Sequence, residues 1–309
     1  MIKLGIDLGG TKIEIIALNE QGDELLRKRV ATPRDSYHSI ISSISELVFN
    51  AEKELEKCSC VGVATPGAIS PATGLMKNSN TTCLNSMPFL QDLEQSLARK
   101  VIIENDANCF ALSEAIDGSA KHAEIVFGVI IGTGTGAGIV INKQVIRGAN
   151  AISGEWGHNP LPWPQQQELP GLDCYCGKQG CIETWLSGVG FTRNYLQKYG
   201  KFPFQVNQEA ETVTAESIVA RAEAGDAQCE QALCDYEDRM ARGLAHVINM
   251  LDPHVIVLGG GMSNVSRLYN NVPKLWGKYV FSDSVTTELV APKFGDSSGV
   301  RGAAWLCES

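Results

Sequence analysis

Two apolar segments joined by a glycine- and threonine-rich turn open this chain, and the same arrangement returns near its middle. Gly5-Ile-Asp-Leu-Gly-Gly-Thr-Lys-Ile-Glu-Ile-Ile-Ala-Leu-Asn19 and Ile130-Ile-Gly-Thr-Gly-Thr-Gly-Ala-Gly-Ile-Val-Ile-Asn142 each read as strand, Gly/Thr turn, strand, Asn. A duplicated unit and the shared chemistry of tight hairpins both account for this recurrence. In either case a strand follows the glycines. That excludes a Walker loop and a dinucleotide fingerprint, both of which must open a helix. What remains is a hairpin tip presenting backbone N–H groups and threonine hydroxyls, the donors that cradle phosphate oxygens. Two such tips facing a cleft imply a polyphosphate held from both sides.

The rest of the pattern is α/β. Residues 2–8, 12–18 and 25–31 read as a β-meander. From Asp35, a candidate N-cap, the positions Ile40, Ile41, Ile44, Leu47, Val48, Ala51 and Leu55 follow a helical period. A strand at 60–64, a helix at 90–99, a strand at 101–104 and a helix at 107–117 follow. The second half restarts at 126–131 and 139–142, and later carries a long helix through Leu233, Tyr236, Met240, Leu244, Val247, Ile248 and Leu251. Asp252-Pro253 stops that helix before a strand at 255–258 enters Gly259-Gly260-Gly261. At 309 residues the chain has a two-domain length. The expected division is 1–118 with about 296–309 as a small α/β domain and 119–295 as a larger one.

Composition narrows the function classes. With 26 Lys and Arg against 35 Asp and Glu the formal charge is −9, and no window gathers basic residues, so nucleic acid is not an expected partner. Asp7 interrupts the apolar start that an export signal needs, and no run approaches the ~18 apolar residues of a membrane span. A cytoplasmic protein with reduced thiols is the expectation. Of the ten cysteines, Cys58, Cys60, Cys83, Cys109, Cys229, Cys234 and Cys307 are scattered and read as small core hydrophobes.

Three places carry chemistry. Asp7 lies inside a strand pattern that disfavours aspartate, where a magnesium ion bridging phosphates would compensate its charge; an edge or turn-capping aspartate is the alternative. Glu104-Asn105-Asp106-Ala107-Asn108 joins a strand to a helix, where ligands bind in open α/β sheets. There Asp106 can take a proton from an attacking hydroxyl or simply cap the helix. Finally, Gly154-Glu155-Trp-Gly-His158 precedes Cys174-Tyr-Cys176-Gly-Lys-Gln-Gly-Cys181-Ile-Glu183. Three cysteines within eight positions and an upstream histidine make a Cys₃His set of the kind that holds structural zinc. The second ring nitrogen of His158 would stay available to a substrate hydroxyl. Glu155 and Glu183 are candidate acceptors for sugar hydroxyls.

Together, Asp7-Leu-Gly-Gly-Thr-Lys12, Asn105-Asp106-Ala-Asn108, Gly132-Thr-Gly-Thr-Gly136, Glu155-x-x-His158 and Cys174-x-Cys-Gly-x-x-Gly-Cys-x-Glu183 resemble the ROK family of bacterial sugar kinases and repressors. The resemblance implies an actin/hexokinase-like (ribonuclease H-like) duplicated two-domain α/β fold with a cleft, an ATP- and magnesium-dependent hexose kinase, structural zinc and a homodimer. It assigns Asp7, Gly9, Gly10, Thr11, Lys12, Thr133, Gly134, Thr135, Gly136, Gly260 and Gly261 to ATP, and Asp106 to the catalytic base. Gly67, Asn80, Asn105, Asp106, Glu155, His158 and Glu183 go to the sugar, and His158, Cys174, Cys176 and Cys181 to zinc. Residues 155–163, 174–185 and 295–305 look most like the proteobacterial fructokinase/mannokinase branch, which makes fructose the expected substrate, with glucokinase or N-acetylglucosamine kinase as the alternative. A ROK transcriptional regulator would carry a helix-turn-helix in front, whereas here the first hairpin begins at residue 2. A non-catalytic sugar-binding scaffold would be expected to lose Asp7 or Asp106.

Overall fold

The computed structural model describes residues 2–201, 212–295 and 298–308. Positions 296 and 297, inside the 295–305 stretch and at the start of the returning 296–309 segment, lie outside the described residues, as does 309. Two compact units emerge. The first comprises 1–128, 138–154 and 292–309, and the second 129–137 and 155–291.

The first sheet has the order β3-β2-β1-β4-β7. Strands β1 (Lys3–Leu8), β2 (Lys12–Leu18) and β3 (Glu24–Ala31) form the expected meander, whereas β4 (Cys60–Thr65) and β7 (Lys100–Asn105) run parallel to β1. Parallel strands covered on both faces need near-continuous apolar runs, and Leu4, Ile6, Leu8, Val61 and Val63 are fully buried. Helix α1 (Tyr37–Glu54) turns Ile40, Ile44, Val48 and Ala51 into this core beside Phe89 and Leu93 of α2 (Phe89–Leu97). Ser36, not Asp35, caps α1: its Oγ accepts the Ser39 N–H at 3.2 Å. Between β4 and α2, a two-stranded ribbon pairs β5 (Ala68–Ile69) with β6 (Met76–Lys77). Helix α3 (Asp106–Ile116) follows β7 without a loop.

The second sheet has the order β10-β9-β8-β11-β12, built from β8 (Ile125–Ile131), β9 (Thr135–Ile141), β10 (Gln144–Val145), β11 (Val255–Gly259) and β12 (Glu288–Val290). Strand β9 starts at Thr135, earlier than the apolar run at 139, because the Gly132 N–H closes the turn onto the Gly134 carbonyl at 3.0 Å. Helices α4 (Ile182–Leu186), α5 (Gly188–Tyr199), α6 (Ala215–Glu223), α7 (Ala227–Leu251) and α8 (Arg267–Trp276) lie between β10 and β12 in the chain. Helix α7 stops at Asp252, which takes a left-handed conformation before Pro253. No described helix is long and apolar enough to cross a membrane.

Two expectations about cysteines change. Cys60 and Cys307 form a disulfide across 247 residues of sequence, so they are not free core thiols. The end of helix α9 (Ser298–Trp305) sits on β4 and brings their Cα atoms to 5.9 Å, within disulfide reach. Cys83 and Cys234 are half-buried, whereas Cys58, Cys109 and Cys229 are buried as expected.

Candidate functional site

In the first unit, strand register does the positioning. Asp7 pairs with Ala64 and Ala64 with Glu104, so the carboxyl ends of β1, β4 and β7 bring Asp7, Thr65 and Asn105 to one edge of the sheet. Ligands of parallel α/β sheets bind at that edge. Gly67 follows β4 with φ +85°, and a Cβ there would stand 2.4 Å from the Lys77 carbonyl oxygen, so only glycine fits. Asn105 donates from Nδ2 to the Gly67 carbonyl at 3.2 Å while its Oδ1 accepts the Ala107 N–H at 2.9 Å. The helix cap is therefore Asn105. Asp106 opens the helix, exposed, with Oδ1 accepting the same N–H at 2.8 Å. Asn80 is exposed beyond β6.

Asp7 is the electrostatic centre of this edge. Desolvation first, then the negative charges of Asp106 and Glu14, push its carboxyl up to about 7, against the pull of Lys12 and Arg29. Glu14, opposite Asp7 in the β1–β2 ladder, is buried and bonded by Arg29 Nε at 2.7 Å and by Arg27, with Lys12 Nζ at 3.8 Å. Sequence reasoning missed this carboxylate; a glutamate within Lys12-Ile-Glu-Ile-Ile was the available signal. The turn itself is closed by the Gly9 N–H on the Lys12 carbonyl at 3.0 Å, and Gly10 and Thr11 are exposed at its tip. Glu104, also missed, accepts Asn108 Nδ2 at 2.9 Å and is paired with Arg147.

In the second unit the other turn meets the histidine loop and α4. Thr133 and Gly134 are exposed at the tip, Gly136 is half-buried, and Thr135 is buried with its Oγ1 lacking a partner. The Thr135 N–H donates to Glu183 Oε2 at 2.8 Å. Gly157 packs so closely that a Cβ there would stand 2.2 Å from the Thr135 carbonyl oxygen. Gly260, at φ +76°, lies under Ile131, and Gly261 begins a short 3₁₀ turn after β11. Helix α7 holds the loop that carries Glu155 and His158: Trp156 Nε1 donates to the Gly243 carbonyl at 3.3 Å, and fully buried Arg242 donates to the Trp163 carbonyl and to Glu168, both at 2.9 Å.

The four expected metal ligands converge. One ligand atom from each of His158, Cys174, Cys176 and Cys181 lies within 4.8 Å of all the others. Cys176 and Cys181 Sγ are 3.6 Å apart, and Cys174 Sγ is 3.5 Å from His158 Nδ1. Tetrahedral zinc with thiolate bonds of about 2.3 Å separates sulfurs by roughly 3.8 Å, so the donor set fits that ion. Burial raises the Cys174 thiol and pushes Cys181 up to about 12, and a cation is what makes two buried thiolates tolerable.

The second ring nitrogen of His158 has a partner within the chain: Nε2 lies 2.9 Å from the Tyr175 hydroxyl. Tyr175 separates two cysteines of the motif, and a ligand spacing gives no sign of what the intervening side chain does.

Known proteins match this chain along its length. It is 38% identical over 310 residues to an N-acetyl-D-glucosamine kinase of Pasteurella multocida, covering 99% of each chain. The solved ROK hexokinase of Thermus thermophilus superposes with a TM-score of 0.84 at 28% identity, over 98% of this chain and 97% of that one. A ROK family glucokinase from Streptomyces griseus, solved with glucose and AMPPNP, gives a TM-score of 0.75 at 25% identity over 99% of both. These likenesses establish the actin/hexokinase-like α/β fold. With the ROK family profile matching residues 3–309, the hairpins, the Asn105-Asp106 junction and the Cys₃His cluster have one explanation: the chain belongs to the ROK family.

Proposed function

We propose that the chain is an ATP-dependent hexose kinase that phosphorylates the primary hydroxyl of N-acetylglucosamine in preference to fructose. The observation that carries the choice of sugar is the 38% identity, over 99% of the chain, to a relative named N-acetyl-D-glucosamine kinase. Fructose, suggested by three short stretches, has less support. Glucose and mannose remain in the test panel. The bound AMPPNP of the Streptomyces griseus relative supports ATP as the phosphoryl donor.

In this reading the sugar hydroxyl loses its proton to Asp106 while its oxygen attacks the γ-phosphorus in line, and the bond from that phosphorus to the β,γ-bridging oxygen breaks to release ADP. Gly9, Gly10, Thr11 and Lys12 of the first turn and Thr133, Gly134, Thr135 and Gly136 of the second, with Gly260 and Gly261, contact the nucleotide. Gly67, Asn80, Asn105, Glu155, His158 and Glu183 orient the sugar. A magnesium ion, when bound, offsets polyphosphate charge, and Asp7 in its desolvated, acid-flanked position is the residue suited to hold it. His158, Cys174, Cys176 and Cys181 would hold zinc, fixing the loop between Glu155 and Glu183. A coupled ADP-release assay with N-acetylglucosamine, fructose, glucose and mannose tests the reading. The expected result is the highest kcat/KM on N-acetylglucosamine; turnover on no hexose would sink the kinase assignment, and a preference for fructose would sink the choice of sugar.

A further inference from the structure

Tyr175 stands between two of the cysteines that would hold zinc and is 83% exposed, an unusual place for a large aromatic ring. Its ring meets His158 edge-on, with centroids 5.0 Å apart and planes at 89°. Its hydroxyl lies 2.9 Å from His158 Nε2. The hydroxyl thus engages His158, one of the side chains of this unit assigned to the sugar, although most of the ring is open to solvent.

Proton placement makes the contact exclusive. His158 Nδ1 faces Cys174 Sγ at 3.5 Å, and when Nδ1 is given to the zinc that these ligands would hold, the imidazole carries its proton on Nε2. Nε2–H is then a single donor that serves one acceptor at a time. A sugar hydroxyl that uses this donor must take the place of the Tyr175 oxygen. We propose that Tyr175 is a substrate-displaced competitor for His158, occupying in the free protein the hydrogen bond that the hexose makes in the complex and thereby setting the apparent sugar affinity. This rests on the hexose-kinase reading above. The exposed ring can swing into solvent without opening a cavity, so the cost of displacement is essentially that one hydrogen bond.

Tyr175→Phe retains the ring and deletes the competing oxygen. Calorimetric titration of the zinc-loaded wild type and variant with N-acetylglucosamine should give a Kd about 2- to 10-fold lower in the variant, the scale of one net hydrogen bond. Equal zinc content in the two proteins would show that the loop is intact. Tyr175→Ala, which removes the ring as well, is expected to match the Phe variant. An unchanged or higher Kd in Tyr175→Phe would overturn the proposal, as would a gain confined to Tyr175→Ala, which would trace the effect to the ring. The parallel ADP-release assay separates the two ideas: tighter hexose binding without turnover would leave the competition standing and remove the kinase reading, whereas normal turnover with unchanged binding would do the reverse. No hexose binding by either protein would overturn both.

Discussion

The backbone N–H of Thr135 is held by the carboxylate of Glu183 at 2.8 Å, which ties the second glycine-threonine turn to a residue two positions beyond the zinc motif's last cysteine. Gly134 is packed against the same carboxylate, since a Cβ there would stand 2.8 Å from Glu183 Oε2. One side chain therefore bears on both substrates of the proposed reaction. Glu183→Ala is expected to raise KM for ATP and for the hexose alike, each by about 5- to 30-fold, because a buried donor loses its acceptor and the sugar loses a partner. Glu183→Gln keeps an oxygen for Thr135 and should spare the ATP KM while still raising that of the hexose. Steady-state kinetics with each substrate varied in turn decides the matter; an ATP KM unchanged in the Ala variant removes the link.

Asp106→Asn should lower kcat by ~10²–10⁴-fold with little change in sugar binding, as expected for loss of a proton acceptor. Because Asn105 caps the helix, the substitution should move unfolding free energy by no more than about 0.5 kcal/mol. Denaturant melts beside single-turnover rates check both halves. Near-normal kcat would return Asp106 to a purely structural role.

Asp7→Asn should stabilise the fold while abolishing turnover. The folded carboxyl is raised to about 7 from an ordinary 3.8, so the wild type gains from the bound proton at low pH and loses that gain as pH rises from about 4 through 7. Asparagine has no such loss. The gap between variant and wild type should open across that window and level off above it, at on the order of 1–3 kcal/mol for a half-buried group. Urea melts at pH 5 and pH 8 measure it; equal gaps at the two pH values contradict the shift.

Zinc removal should raise the sugar KM before it unfolds either unit, since the four ligands constrain a loop rather than a sheet. Cys176 is the exposed member, so Cys176→Ala tests the ligand set without leaving a core cavity. Metal analysis should find about one zinc per chain in the wild type and markedly less in the variant, with a raised sugar KM. Undiminished metal and a normal KM would show that the ligands are wrong.

Periodicity made the α/β architecture legible, because β1 and β2 are near-continuous apolar runs buried on both faces, whereas α1 and α7 repeat their apolar residues at the helical period along one face. The Cys₃His cluster was legible for a different reason: metal ligands announce themselves by type and spacing. The Tyr175–His158 contact, the Asp7–Glu14 ladder pair and the Cys60–Cys307 disulfide were not. Each depends on which residues the fold brings face to face, and no local pattern carries that. The cap at Asn105 rather than Asp106 shows the limit within a single turn, since both side chains are suited to capping and only the backbone geometry chooses.

Helix α9 reaches back from residues 298–305 to lie on strands at 3–8 and 60–65. A Cβ at Gly5 would stand 2.4 Å from the Val300 carbonyl oxygen, and one at Gly62 only 1.7 Å from that of Ala303. The backbones of β1 and β4 are thus shaped to accept a segment that leaves the ribosome after them. At ordinary elongation rates the strands wait on the order of ten seconds or more for that covering helix. Through that interval one face of the parallel sheet lacks its cover. Uncovered apolar surface of this kind favours aggregation, and a translational pause placed between the fourth strand and the last helix would lengthen that exposure.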